Sequence, residues 1–413
     1  MITYKTIDLG TDKNLFNLKR YFMKRKNLNL LTTFMILIIL FLFETSYSYE
    51  LKIYHVKSSE GGYDFYGENS YPIECWIKIS FPKLENLKLE VNTPFSTSLK
   101  SGTKRKLIFR ARPVSKRKRY GMRYSYTYMK GNPSRAHHDN TYKYVFPFSH
   151  GTKHKLSQGY KGSVTHSGEN EYALDFPMDI GTQVIASRDG VVVEVKEDSN
   201  IGGMDKKYDK HGNYVLIYHN DGTFANYVHL KQNGSLVKVG DLVVQGQRIG
   251  LSGNTGRSSG PHLHFSISKP EFNNKRSSIP VKFLNYDGKA IDPVEGRYYY
   301  STHYEKKGFK VFLGRNISNT QYNNYYKKIN FTGKIKFRTK AIDDIILVFF
   351  RNGTKSKLSL EANFKLNNLF PSKKIPVKKF VGALSEVYLC FLKPIDNKKG
   401  YSLSTYARYK IEN

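Results

Sequence analysis

The 413-residue chain carries 67 Lys and Arg against 34 Asp and Glu, a formal net charge of +33, with 39% hydrophobic and 14% aromatic residues. These fractions exclude a disordered chain and supply cores for about two to four domains. The charge favours an anionic partner such as nucleic acid, an acidic membrane face or a wall polymer; joint richness in Lys, Asn, Ile, Phe and Tyr fits biased base composition equally well. With only Cys75 and Cys390 present, a zinc knuckle and a disulfide framework are excluded, and two free buried thiols are expected rather than one long-range bridge.

In chain order, residues 1–48 read as a signal peptide or signal anchor. Met23 to Asn27 is basic, Leu28 to Phe43 is apolar, and Ser46-Tyr47-Ser48 offers a small-x-small cleavage site. Met23 is an alternative start. The apolar run holds Asn29 and two threonines and is short for a membrane span. No cysteine follows it, so lipid attachment there is excluded. The expected location is extracytoplasmic, in the periplasm or cell envelope.

Residues 49–145 hold strand-length runs such as LKIYHV, YPIECWIKISF and KLIFRAR between turn clusters, and a β-sandwich is expected. Residues 100–130 are densely basic, with KRK at 104–106 and KRKR at 116–119, and Tyr120, Tyr124, Tyr126 and Tyr128 interleave with the charges. In the cytosol this would suggest nucleic acid. Behind an export signal it reads as a solvated strand face and hairpin touching an anionic wall or membrane surface, with no nucleic acid.

Residues 146–295 alternate apolar and polar positions between glycine turns, with no capped amphipathic helix, which predicts an all-β central domain. Residues 297–413 repeat the pattern (IILVFF, EVYLCFL, YSLSTYARYK) and predict a second flanking β-sandwich without chemistry of its own.

The chemistry concentrates between His166 and His264. In HLHF, positions i and i+2 of a strand share a face, so His262 and His264 project together. His229 sits in YVHL, with Tyr227 expected on the same strand face. His166 immediately precedes SGENEYALDF, which carries Asp175 next to its end. Imidazoles and a carboxylate are ligand types that zinc prefers, and a catalytic zinc takes three protein ligands plus water. Two further histidines then remain as general base and general acid.

The ordered set His166…Asp175, Tyr227-Val-His229-Leu and Gly253-Asn-Thr-Gly256-Arg-Ser-Ser-Gly-Pro-His262-Leu-His264-Phe resembles the M23 family of zinc metallopeptidases, the lysostaphin or LytM-type peptidoglycan endopeptidases. The similarity runs over roughly residues 145–270. It implies an antiparallel β fold and one Zn²⁺ held by His166, Asp175 and His264. It implies His229 and His262 as the catalytic pair, and Tyr227, the tyrosine of the YxHL motif, as a substrate-binding residue. The implied substrate is a peptide stem or cross-bridge of peptidoglycan. A non-catalytic module of the same fold, binding wall or regulating another hydrolase, is the alternative.

Two departures stand out. The family's first motif sets histidine and aspartate four apart, whereas His166 and Asp175 are nine apart; His150 or His154 and Asp179 are the substitutes. Ser266 stands where many relatives have glutamate. His211 and His219 are expected at turns or on the surface, and Gly253, Gly256 and Gly260 in a loop shaping the groove wall.

Overall fold

The computed structural model describes residues 49–304, 306–397 and 399–412. The expected leader over 1–48 lies outside them. Among the described residues the chain is all-β, interrupted by five short 3-10 turns, and no helix is long and apolar enough to cross a membrane.

Toward the N-terminus, alternating apolar residues build two antiparallel sheets. Leu51–Lys57, Tyr63–Asn69, Thr103–Pro113 and Leu87–Leu89 form one; Phe95–Leu99, Cys75–Glu85 and Gly121–Lys130 form the other. Ile53, Phe65 and Phe109 of the first meet Ile77, Ile79 and Leu99 of the second in a single core. The basic run lies on this unit, with Lys104, Arg105, Lys106 and Arg110 exposed. Tyr120, Tyr124 and Tyr126 instead pack against the core, so most of the interleaved tyrosines serve packing.

The central sheet runs in the order Ala173–Pro177, His262–Pro270, Phe224–Val228, Tyr214–Tyr218, Gly190–Lys196, Leu242–Val243, with Arg276–Ser278 paired to the second strand. Its pairings are antiparallel. Along 262–270 the alternation divides the labour. Leu263, Phe265 and Ile267 enter the core, leaving His262, His264, Ser266 and Ser268 on the other face. Beneath the core lie Gln183–Ile185, Arg248–Ser252 and Leu230–Ser235, joined as a three-stranded sheet, and the aromatic stretch of Tyr144, Phe146 and Phe148. Pairing crosses the expected segment ends: Lys143–Tyr144 runs beside Lys282–Leu284, and Lys153–Lys155 beside Tyr298–Tyr300.

Sheets from both ends of the chain contact the central one. From the N-terminal side, Ile73 packs with Leu216 and Phe224 on the sheet face that carries the histidines. Gly131 (φ 83) closes this approach, because a Cβ there would stand 2.9 Å from the Phe224 ring. Toward the C-terminus, Lys153 pairs with Asp343. The C-terminal sheets centre on Ile345–Asn352 with Ser385–Pro394 and on Lys357–Asn367 with Ser402–Glu412. Their core holds Cys390; Cys75 is buried in the N-terminal core, and both thiols are free.

Glu386 is fully buried in the C-terminal unit, with Arg338 at 2.7 Å, Arg351 alongside and the Tyr325 hydroxyl donating at 2.9 Å. Burial alone would raise its carboxyl, but these donors outweigh burial and bring it down to about 2. A depressed carboxyl contributes stability above its unfolded value, about 4.3, and that contribution fades as pH falls toward 2. Glu386→Gln is therefore expected to cost about 2 kcal/mol at pH 7 and to flatten the acid limb of stability. Urea unfolding across pH 2–7 checks both.

Candidate metal centre and active site

Strand register creates the centre. Asp175 lies directly opposite His264, and His264 directly opposite Val228. Facing residues in adjacent antiparallel strands point the same way about 5 Å apart. The His264 Nδ1 accordingly sits 3.0 Å from Asp175 Oδ1, and His262, two residues back, brings its Nε2 to 3.7 Å from the same oxygen.

His166 reaches the centre from a loop. Gln158 bridges to Asp175 through its backbone, and the Lys161 amide donates to the Glu171 carbonyl at 2.6 Å, closing residues 161–171 on themselves. The loop returns His166 so that Nε2 stands 3.2 Å from Asp175 Oδ2 while Nδ1 holds the Gly159 carbonyl at 2.7 Å. The nine-residue spacing is accommodated in this way. The substitutes are placed elsewhere: His154 packs on Phe148 and binds the Pro177 carbonyl, and His150 binds the Lys307 carbonyl beside His303. Asp179 stays outside the ligand group, which comprises His166, Asp175 and His264.

His229 follows the Phe224–Val228 strand in a left-handed conformation (φ 65). A regular strand would have put it on the same face as Tyr227, as the sequence reading expected. The positive φ swings it to the other side instead, with its ring centroid 4.6 Å from that of His262 and 5.9 Å from that of His264. Such a backbone costs on the order of 1 kcal/mol in a non-glycine residue. The loop over 253–256 holds it: the Thr255 carbonyl accepts from His229 Nδ1 at 2.6 Å. Thr255 itself receives the Asn213 amide and donates to the Leu230 carbonyl. Gly256 (φ 78) keeps this loop against Gly212, whose Cα a Cβ would meet at 2.5 Å. His262 is latched likewise, its Nδ1 lying 2.8 Å from the Gly260 carbonyl and 3.1 Å from Ser258 Oγ.

Each carbonyl latch places a proton on Nδ1 and leaves the Nε2 lone pair to the site. Burial, and then the neighbouring imidazoles, push His229 down to about 3, so it is neutral at ordinary pH. Burial opposes ionisation of Asp175, but the facing imidazoles of His166 and His264 prevail and hold its carboxyl far below the usual range. The buried His166 Nε2 finds no hydrogen-bond partner while facing that carboxylate. Two acceptors 3.2 Å apart require positive charge between them, which either a second proton on His166 or a cation supplies. The Asp175 carboxylate accordingly raises His166 against the lowering effect of burial. Ligand-type atoms of His166, Asp175 and His264 lie within 4.8 Å of one another. Two imidazoles and an ionised carboxylate at that spacing fit a divalent metal.

A sequence profile of Peptidase family M23 matches residues 169–293. The chain is similar to the peptidoglycan DD-endopeptidase ShyA of Vibrio cholerae, 44% identical over 26% of this chain and 23% of the relative. It is similar to the glycyl-glycine endopeptidase ALE-1 of Staphylococcus capitis, 42% identical over 30% of this chain and 31% of the relative. It spans under a third of the length of these curated relatives. Among solved structures, the catalytic domain of lysostaphin from Staphylococcus simulans is 33% identical, covering 31% of this chain and 87% of that one at a TM-score of 0.23.

One expected site residue is misplaced by the sequence reading. Tyr227 is fully buried in the central core, where its hydroxyl accepts the Ser187 amide at 2.8 Å, so it cannot touch a substrate. His219, expected at a turn or surface, is also fully buried, with Nδ1 on the Asp189 carbonyl and burial bringing it down to about 4. Gln158, Thr255 and Ser258 were not foreseen as supports. Gln158 donates to Asp175 Oδ2 at 3.0 Å and to Thr165 at 2.8 Å, stapling the His166 loop. No spacing signal marks it, whereas Thr255 and Ser258 lie inside the glycine loop already singled out. Replacing Tyr227 by Phe orphans the Ser187 amide and should cost about 1–3 kcal/mol. Divalent-metal affinity should stay unchanged; thermal unfolding and metal titration of the purified chain check the two.

Proposed function

The chain carries a peptidase family M23 domain over residues 169–293, and we propose that it is a zinc-dependent endopeptidase acting on the peptide stems or cross-bridges of peptidoglycan. One observation carries this reading. Asp175 gathers three imidazoles, those of His166, His262 and His264, within 3.7 Å, with the neutral His229 alongside. The relatives, a peptidoglycan DD-endopeptidase and a glycyl-glycine endopeptidase, support the substrate class.

His166, Asp175 and His264 would hold the metal. When bound, Zn²⁺ supplies Lewis acidity that polarises the scissile carbonyl and makes water a stronger acid. The protein's own groups then do the proton work. With Nδ1 fixed on Thr255 and Gly260, His229 and His262 each turn Nε2 toward the site. One takes a proton from the attacking water, and the pair delivers a proton to the departing amine nitrogen. Asp175 fixes His264 across the strands, Gln158 fixes Asp175, and Gly159 fixes His166, so the reacting groups need little reorganisation.

We also propose three structural units behind the leader, over 49–145, 146–295 and 297–413, and action outside the cytoplasm. The basic N-terminal face, with Lys104, Lys106, Lys118 and Arg119 exposed, suits an anionic wall or membrane surface. Salt-sensitive retention on purified cell wall tests that contact, since binding that persists unchanged at high salt would discard it. For the activity, His264→Ala should lose both stoichiometric zinc and cleavage of purified muropeptides. A His264→Ala protein that cut them at the wild-type rate would overturn the assignment.

A further inference from the structure

Register carries the sheet's histidine face beyond the metal centre. Asp175, His264 and Val228 occupy one cross-strand row. The next row on the same face runs Ser266, Asn226, Leu216, Glu194. All four of these residues floor one cavity of about 510 Å³. Successive residues on one face stand about 6.7 Å apart along a strand, so the cavity begins one pleat behind the metal ligands. Its volume lies in the range of ligand sites.

The far wall comes from the N-terminal unit. Tyr71 and Tyr128 line it, their hydroxyls 3.1 Å apart, and Lys130 reaches down to Glu194 at 2.8 Å. The third side is the turn and strand after residue 270, with Lys275 and Arg276. Two of these cations are engaged, Lys130 by Glu194 and Lys275 by Glu169 at 2.6 Å. Arg276 lies over the Phe224 ring, 5.2 Å from its centroid. Among the described residues no carboxylate comes within ion-pair distance of Arg276; it acts on Glu194 at longer range, and Glu194 is already paired with Lys130, so an incoming carboxylate breaks no ion pair. Phe224 pairs with Ser268, four residues from His264, so the row over which Arg276 lies is about 13 Å along the strand from the metal row, roughly four residues of extended peptide.

We propose that this cavity is a substrate subsite built jointly by the N-terminal unit and the central sheet, in which Arg276 receives a free carboxylate of the peptide being cut. The inference rests on the endopeptidase reading and adds a specificity determinant to it. Arg recognises carboxylates through paired N–H donors, which a neutral carboxamide cannot match. The exposed Tyr128 offers its hydroxyl to the peptide backbone, backed by Tyr71, whose ring lies under Lys130, so the N-terminal unit takes part in choosing the substrate.

The test uses the full chain and one crosslinked muropeptide in two forms, with free stem carboxylates and with those carboxylates amidated. Wild type should prefer the free acid by about tenfold or more in KM, the value of one charge-assisted pair. Arg276→Gln should raise KM for the free acid about tenfold or more and so erase the preference. Tyr128→Ala should raise KM for both forms alike. Persistence of the acid preference in Arg276→Gln would overturn the carboxylate assignment, and an unaltered KM in Tyr128→Ala would remove the N-terminal wall from the subsite. If wild type cleaves neither form, the endopeptidase reading fails. Calorimetric titration of the same two muropeptides into wild type and Arg276→Gln still reads the preference in that case.

Discussion

The cross-strand pairing of Asp175 with His264 is the constraint on which the centre depends. A sheet offers few ways to hold an ionised carboxylate against several imidazoles without strain, and direct opposition in an antiparallel ladder is one of them. The same register puts Leu174, Leu263 and Phe265 into the core. A slip by one residue would exchange the two sets, so the hydrophobic core and the candidate ligands Asp175 and His264 enforce each other's position. Burial would normally protonate such a carboxyl; here the surrounding imidazoles keep it charged.

Around that pair the chain uses backbone carbonyls as orienting devices. Gly159, Thr255 and Gly260 each receive an Nδ1, from His166, His229 and His262. Three histidines in different local settings, a long loop, a left-handed turn and a strand start, thus expose the same ring nitrogen to a common space. The N-terminal unit leans on the face that carries them, through Ile73, Gly131 and Lys130. Its proximity to the centre gives it a physical route to influence binding.

Much of this was legible in the sequence because it follows from period-two alternation and motif order. HLHF told which histidines share a face, and the spacing of apolar runs told an all-β chain. His166 could be named but not placed, since the return of a nine-residue loop depends on Gln158 and Gly159, which carry no motif. Tyr227 went astray for a definite reason. Strand alternation assigns residues 227 and 229 to one face, and it has no means of registering that residue 229 leaves the β region. His219 failed similarly, because its burial comes from packing at Asp189 and Tyr144, remote in sequence. The cavity walled by Tyr71 and Tyr128 arises from contacts between units and had no signature at all.

The left-handed residue at the end of the Phe224–Val228 strand limits how this machinery can be moved or rebuilt. A tetrapeptide copied onto another sheet would deliver its imidazole to the apolar side, where nothing could use it. Transplanting the function therefore requires the reversal and the threonine loop that braces it, as one piece. By the same reasoning, β-branched replacements at position 229 would be penalised twice, for lost chemistry and for a backbone they tolerate poorly.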